Sequence, residues 1–306
     1  MKKRLIALCM SLAFSLMVFS PVAAVYTQGE VFTDELEQTL PLLEKDTMNE
    51  YDCIVEIRNA SKNPSTLSSL DTNLDEEEIE YITSDAIESE LLYRASLSTE
   101  VLKDQYCYSD EAIAILKSYD GTRLENAPEM RAVTATLSAA LGELVKSKTR
   151  VGVLYTWSWD VRPLVRWSDY AAVSWDGTYE NGGSNDMAFD PYTSFSNVNY
   201  YYTDANQKQL KAEFTSDNWY NGAAASFAAE KTINAWYYWA KYGTVYVYVN
   251  LVNQDSGPLL YQLTAHGEFA HYTATPTGSV SFPGGASISF TGGLSVLGSR
   301  NIYINP

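Results

Sequence analysis

The sequence predicts an α+β fold: an acidic α-helical N-terminal segment followed by an all-β antiparallel domain, built as a sandwich or a barrel-like sheet. Residues 25–150 contain 26 acidic and 11 basic residues and no tryptophan, whereas residues 151–306 contain all seven tryptophans and 16 of the 23 tyrosines. The apolar spacing also changes near residue 150, from every third or fourth residue to alternation between frequent turn residues. We therefore expect two domains, at 25–150 and 151–306.

Residues 1–24 are predicted to be a cleavable signal peptide. Three basic residues at positions 2–4 precede an apolar run at 5–19, and Ala23-Ala24 supplies small residues for cleavage. The run is shorter than the roughly twenty residues that cross a bilayer as a helix. We expect a secreted, extracellular protein without a transmembrane anchor.

The net charge of the chain disfavours two classes of binding partner. Without residues 1–24 the chain carries 38 acidic and 18 basic residues, a formal net charge of −20. Binding to nucleic acid needs a basic footprint for the phosphates, so we expect no nucleic-acid partner. The same charge disfavours charge-driven docking on anionic lipid.

Helix signals recur through residues 25–150. Acidic residues follow Thr33, and Ser84 and Ser109 precede apolar residues at helical spacing, so we expect helices to begin at these three places. A last helix is predicted over residues 127–146, where Asn126 is a cap and Pro128 lies in the first turn. Its apolar stripe comprises Met130, Val133, Leu137, Leu141 and Leu144.

The two cysteines that follow the signal peptide are Cys53 and Cys107. An even pair without metal-type spacing in an exported chain predicts a disulfide. The alternative is two unpaired buried thiols, and the sequence leaves it open.

Two acidic stretches raise the question of a metal cofactor. The run from Asp75 to Glu78, with Glu80, is typical of a solvated helix face, although its carboxylates could also ligate a metal. Oxygen ligands of the kind that calcium takes recur at Asp176, Glu180, Asp186 and Asp190. Their spacing is not that of an EF-hand, so polar turn residues are the preferred interpretation, with calcium as the alternative. We expect no other cofactor.

The most informative stretch of the β segment runs from Ile233 to Asn250. Residues 241–243 are predicted to form a three-residue hairpin loop in which Gly243 takes the left-handed position. Alternation then places valines on one side and, on the other, an aromatic strip of Trp236, Tyr238, Tyr246 and Tyr248. This strip is the candidate binding surface, unless a second sheet or the helical segment covers it. The tail at 278–306 alternates as well and predicts short strands at one sheet edge.

Motifs for catalysis are scarce. The only histidines, His266 and His271, lack the spacing of a zinc site, and no nucleophile elbow, phosphate loop or dinucleotide fingerprint is present. A glycosidase needs only two carboxylates, and nothing selects a pair among Asp160, Asp169, Glu213, Glu230 and Glu268. The sequence therefore favours a protein without catalytic activity.

We expect a secreted binding protein that recognises an extracellular glycan or protein through exposed aromatics of the β segment. One alternative is a membrane-active or antagonistic effector, which would contact a membrane after cleavage near residues 146–150 removes residues 25–150 as a pro-region. The second alternative is a carboxylate-dependent glycosidase.

Overall fold

The computed structural model describes residues 44–62, 76–179, 184–185, 187–218, 220–252, 259–273, 280–282, 285–290 and 294–303. The predicted signal peptide and the predicted helix start at Thr33 lie outside these residues. The chain divides into two units, residues 1–43 and residues 44–306, and all of the described residues belong to the second. Among them, no helix is both long and apolar enough to cross a membrane.

Most of the described chain is antiparallel β-structure arranged in two large sheets. The first sheet has the order β1 (Glu44–Asn49), β2 (Thr136–Lys146), β3 (Arg150–Trp159), β12 (Trp236–Leu251), β7 (Phe195–Thr203) and β8 (Asn206–Ala212). Two short strands, β6 (Met187–Phe189) and β11 (Glu230–Ile233), also pair with β12.

The second sheet has the order β16 (Leu294–Tyr303), β13 (Leu260–Thr273), β4 (Ser168–Tyr179), β10 (Gly222–Ala228) and β9 (Phe214–Asn218), with β5 (Ser184–Asn185) on β4. Strands β14 (Val280–Ser281) and β15 (Ser289–Phe290) pair with each other. The tail thus contributes the edge strand β16, as its alternating pattern predicts.

Five α-helices are described, all between β1 and β2. They are α1 (Glu50–Ser61), α2 (Glu76–Thr83), α3 (Ala86–Ser96), α4 (Thr99–Tyr106) and α5 (Asp110–Lys117), followed by 3-10 turns at Leu124–Asn126 and Pro128–Ala132. Helix α5 begins where the sequence predicts, and the Ser109 side chain accepts a hydrogen bond from the Ala112 N–H at 3.2 Å. Helix α3 likewise begins just after Ser84.

The helix predicted over residues 127–146 is wrong. Only its first turn is helical, and Thr136–Lys146 forms β2 between β1 and β3. Leu137 and Leu141 are buried, as a helical stripe requires. A spacing of four residues, however, also keeps side chains on one face of a strand, so the pattern did not separate the two structures.

The boundary predicted near residue 150 is not a structural division. Strands β2 and β3 lie on either side of it and pair from Leu137 opposite Trp159 to Lys146 opposite Val151. Helical residues such as Ile54 and Leu116 belong to the same buried cluster as Trp157 of β3. The helices and the sheets therefore share one core.

The two sheets pack face to face as a β-sandwich, and aromatic rings fill the space between them. The Trp157 ring of the first sheet stacks on Phe227 of the second at a centroid distance of 5.0 Å and lies 4.8 Å from Phe269. Stacked and tilted contacts at such distances are favourable beyond the apolar area they bury. The predicted sandwich is confirmed.

Strand β12 runs unbroken from Trp236 to Leu251, so the hairpin predicted at residues 241–243 is wrong. Gly243 lies opposite Trp157 in the pairing of β12 with β3. A Cβ at this position would come within 2.6 Å of the Trp157 ring and 2.7 Å of the Asn197 carbonyl oxygen. The glycine therefore permits close packing of an indole in the core, and it makes no turn.

Candidate functional site

The four aromatic residues predicted to form one exposed strip are divided between the two faces of β12. The register of β12 against β7 shifts between Ala240 and Tyr242, which makes Lys241 an extra residue. Such a β-bulge reverses the alternation of side chains beyond it. Residues 236 and 238 therefore lie on the opposite face from residues 246 and 248, and the predicted strip is corrected.

The four residues also differ in solvent exposure. Trp236 is 49% exposed, whereas Tyr238 and Tyr246 are 2% and 3% exposed. The Tyr246 ring packs against Phe195, and the half-buried Tyr248 ring lies 4.0 Å from the guanidinium of Arg150. Of the predicted strip, only Trp236 offers a largely open ring.

Two exposed rings, those of Trp236 and Tyr237, lie at the tip of the β11–β12 hairpin. Asn234 and Ala235 connect the strands with φ angles of 51° and 68°, the positive values that a two-residue type I′ turn requires. Tyr237 next to the turn is 64% exposed. The Trp236 ring lies 4.9 Å from that of the half-buried Tyr202. Tyr237 points to the opposite face of the hairpin, because neighbouring residues of a strand alternate. We call Tyr202 and Trp236 the aromatic tip.

Helix α4 holds the base of this hairpin in place. The Trp239 indole donates to the Gln105 carbonyl oxygen, and the Tyr201 hydroxyl donates to that of Asp104, each at 2.9 Å. The Gln105 side chain donates to the Tyr202 hydroxyl at 3.2 Å. The last of these contacts holds Tyr202, whose ring packs against that of Trp236, and a ring fixed before a ligand arrives lowers the ordering cost of binding.

A cleft of about 230 Å³ opens at the edge of the sandwich. The chain crosses from the first sheet to the second at Glu213, between β8 and β9, and returns at Ala229, between β10 and β11. The cleft lies against these crossings. Its lining combines apolar and polar side chains, namely Val198, Tyr200, Leu210, Lys211, Ala212, Glu213, Thr215, Ser226, Phe227 and Lys231.

Lys231 connects the cleft to the aromatic tip. It lies opposite Tyr238 in the β11–β12 pairing, and the Tyr238 ring is 5.8 Å from that of Tyr202. The ammonium of Lys231 is 5.1 Å from the centroid of the Tyr200 ring, which lines the cleft. Lys231 therefore lies on the face of the sheet that carries the aromatic tip and also lines the cleft. Of these residues, the sequence predicted only Trp236.

The predicted disulfide is not formed, because Cys53 and Cys107 are both free, half-buried thiols. Cys53 lies within α1, where burial and then the surrounding carboxylates raise the pKa of the thiol to about 12. Cys107 ends α4 in a left-handed conformation with φ 63°, and its Sγ accepts a hydrogen bond from Lys241 at 3.2 Å. The two thiols therefore lie in different environments.

The calcium candidates are not gathered into a site within the described residues, where no group of three or more His, Cys, Asp or Glu side chains is placed to hold a metal ion. Asp190 accepts hydrogen bonds from the Tyr192 N–H at 3.0 Å and the Thr193 hydroxyl at 2.9 Å, as a polar turn residue does. Asp176 belongs to β4. Glu180 and Asp186 lie outside the described residues, as does Asp75 of the earlier acidic run.

Three ionisable side chains distant in sequence form a buried cluster that sequence reasoning missed. The His271 Nδ1 of β13 donates to Asp169 Oδ1 of β4 at 2.6 Å, and its Nε2 lies 3.9 Å from Glu50 Oε1 of α1. Glu50 also accepts from the backbone N–H groups of Leu164 and Val165 at 2.9 Å. None of the three ionisable residues is more than 1% exposed.

This cluster keeps His271 charged. Burial disfavours the positive charge of His271. The attraction of the Asp169 and Glu50 carboxylates is stronger than this effect and raises the pKa of His271 to about 9. Burial by itself would raise the pKa of Glu50, yet His271 and the two backbone N–H groups reverse that effect and lower it. Since the cluster is closed to water, it ties α1 to the second sheet and offers no surface to a ligand.

The remaining carboxylates considered for glycoside hydrolysis lie in unlike surroundings. Asp160 accepts from the backbone N–H of Thr136 at the start of β2, and Glu230 is bound by two arginines. Glu268 is only 4% exposed, whereas the Glu213 side chain is 76% exposed. Nothing in the described structure brings two of these groups to one opening.

No family model and no curated protein matches this chain. Among solved structures, the chain is similar to one described as "AvmM Catalyzes Macrocyclization in Alchivemycin A Biosynthesis", with 10% identity and a TM-score of 0.26, over 55% of this chain and 90% of that chain. A TM-score this low carries no argument about fold or function.

Proposed function

We propose that this is a secreted, non-catalytic binding protein that holds an extracellular glycan at the aromatic tip and the adjoining cleft. The observation that carries the proposal is the open Trp236 ring, 49% exposed and oriented by Tyr202, beside a cleft with both apolar and polar walls. The predicted signal peptide supports export.

The chemistry of this surface suits a sugar chain. A ring face offers flat apolar contact to the C–H face of a sugar at a small entropy cost, because an aromatic side chain has few rotatable bonds. Ser226, Thr215 and Lys231 in the cleft provide the hydrogen-bonding groups that hydroxyls need. The cleft is below the roughly 300–1,000 Å³ of drug-sized pockets, so it suits one small unit of a longer ligand lying over the aromatic tip.

The test is retention of the protein on a panel of neutral and acidic polysaccharides, measured by affinity electrophoresis and confirmed by calorimetry. Trp236→Ala is expected to raise Kd for the retained glycan about tenfold, because a well-placed aromatic contact contributes about 1 to 1.5 kcal/mol. Tyr192→Ala is the matched control, since Tyr192 is 95% exposed in the turn between β6 and β7. The proposal is contradicted if Trp236→Ala leaves the Kd unchanged, or if no glycan of the panel retains the protein.

A further inference from the structure

We infer that the bound glycan is anionic, and that a carboxylate or sulfate group on it lies against Lys231 in the cleft. This inference rests on the proposed function and adds the chemical class of the ligand. It depends on three observations: the state of Lys231, the distribution of positive charge in the β segment, and the position of Lys231 between the aromatic tip and the cleft.

Lys231 is half-buried, and no described carboxylate forms an ion pair with it. In the described part of the chain its ammonium forms no ion pair, and the adjacent Glu230 is bound by Arg162 and Arg166. Its placement over the Tyr200 ring compensates only part of the lost hydration, because a cation above an aromatic face is attracted far less strongly than one beside a carboxylate. An anionic ligand group would complete the surroundings of Lys231.

Positive charge is concentrated around this cleft on an otherwise acidic protein. The chain has a formal net charge of −17, and residues 151–306 contain only seven basic side chains. Two of them, Lys211 and Lys231, line the cleft, and Lys208 lies opposite Tyr200 of the lining in the β7–β8 pairing. The one acidic side chain in the lining, Glu213, is 3.6 Å from Lys211. The charged side chains of the lining therefore sum to one positive charge, that of Lys231, and this charge favours an anionic group in the cleft.

The arrangement of Trp236, Lys231 and the cleft suits a polymeric ligand better than a free ion. Lys231 lies between the open Trp236 ring at the hairpin tip and the cleft lined by Tyr200. A sugar stacked on Trp236 would place a neighbouring acidic unit near Lys231 without a change in the fold. Apolar stacking then provides contact area, and the lysine selects for charge.

The experiment compares charged glycans with neutral glycans of the same backbone. Polygalacturonate is paired with its methyl ester, hyaluronan with its methyl ester, and dextran sulfate with dextran. We expect the full chain to bind at least one charged member at least tenfold more tightly than its neutral partner, with the uronates and the sulfate separating the two kinds of anion. Lys231→Gln is expected to weaken that binding about tenfold, as the loss of a charge-assisted hydrogen bond does.

Two further variants make the result specific. Lys231→Arg keeps the charge and is expected to retain most of the affinity, while Lys62→Gln, at the exposed end of α1, is the control for loss of one positive charge elsewhere. Thermal unfolding of each variant checks that the fold is intact.

The outcomes separate this inference from the proposed function. Equal affinity for charged and neutral partners, with Trp236→Ala still harmful, overturns the inference and leaves the glycan-binding function in place. The inference also fails if Lys231→Gln binds the charged glycan as tightly as the unchanged protein. If no glycan is bound through Trp236, the proposed function and the inference fail together.

Discussion

At the scale of single residues, the buried imidazolium of His271 is the feature with the clearest energetic consequence. It lies between Asp169 and Glu50 with no access to water. Replacing a partner of a buried charge leaves an uncompensated charge in the core, which destabilises far more than the loss of a surface ion pair. The folded state therefore depends on the protonation of this one ring.

This dependence predicts a loss of stability in alkaline solution. Because folding raises the pKa of His271 from 6.5 to about 9, its contribution is fully present below about pH 6.5 and is lost as the pH rises through about 9. Asp169→Asn is expected to lower the melting temperature and to start the alkaline decline at lower pH, because it removes the carboxylate closest to the ring. Melting curves between pH 5 and 10 measure this.

Glu213→Gln serves as the control, since that carboxylate is exposed. If Asp169→Asn and the unchanged protein show parallel profiles across this range, His271 does not carry the charge assigned to it.

At the scale of elements, the β11–β12 hairpin combines an exposed aromatic surface with an unfavourable turn residue. Ala235 has a φ of 68°, a conformation that costs residues with a Cβ about 1–2 kcal/mol. Asn234 tolerates its own positive φ better, because its side chain can bond locally. The hairpin keeps this turn because β12 is fixed on both sides by β3 and β7.

Replacing the turn residue should stabilise the hairpin. Ala235→Gly is expected to raise the free energy of unfolding by about 1 kcal/mol, since glycine adopts a positive φ without strain and Asn-Gly is the preferred type I′ sequence. Chemical denaturation measures the change. Ala228→Gly in β10 is the matched control and should lower stability by about 0.5–1 kcal/mol, because its φ is not positive. An equal loss in both variants would contradict the turn geometry.

At the scale of the whole molecule, the helices and the β-sandwich form one folding unit. Buried arginines link them: Arg94 of α3 donates to the carbonyl oxygens of Arg162 and Pro163 at 2.7 Å. Strands β1 and β2, on either side of the helices, complete the first sheet next to β3. Removal of everything before residue 151 would therefore expose the core, as well as an open edge of β3.

Truncated fragments test whether the helices and the β-sandwich fold as one unit. Residues 44–306 are expected to unfold in one cooperative transition, whereas residues 151–306 alone are expected to aggregate or to lack fixed tertiary structure. Near-ultraviolet circular dichroism and size-exclusion chromatography distinguish these states. A soluble 151–306 fragment with its own cooperative transition would show that the β segment is independent, as a removable pro-region requires.

The sequence anticipated the candidate site in part. Aromatic richness and alternation pointed to β12 and to Trp236, but the same pattern included Tyr238 and Tyr246, which are buried. The alternation of side chains predicts which face of a strand each one occupies only where the strand has no bulge. Nothing in the sequence around Lys241 marks the bulge there. The cleft and Lys231 were missed because their neighbours in space come from five separate strands and their connections.

The sequence by itself determined what depends on near neighbours: a mainly antiparallel, aromatic-rich β protein, and helix starts such as Ser109, where a side chain caps the turn that follows it. Only the tertiary structure decided whether residues 136–146 form a strand, which face of β12 reaches solvent, and that Glu50, Asp169 and His271 meet. The reason is physical. Leucines four residues apart suit a helix or a strand, and a ring or a carboxylate is buried or open according to the surface packed against it, which lies far away in the chain.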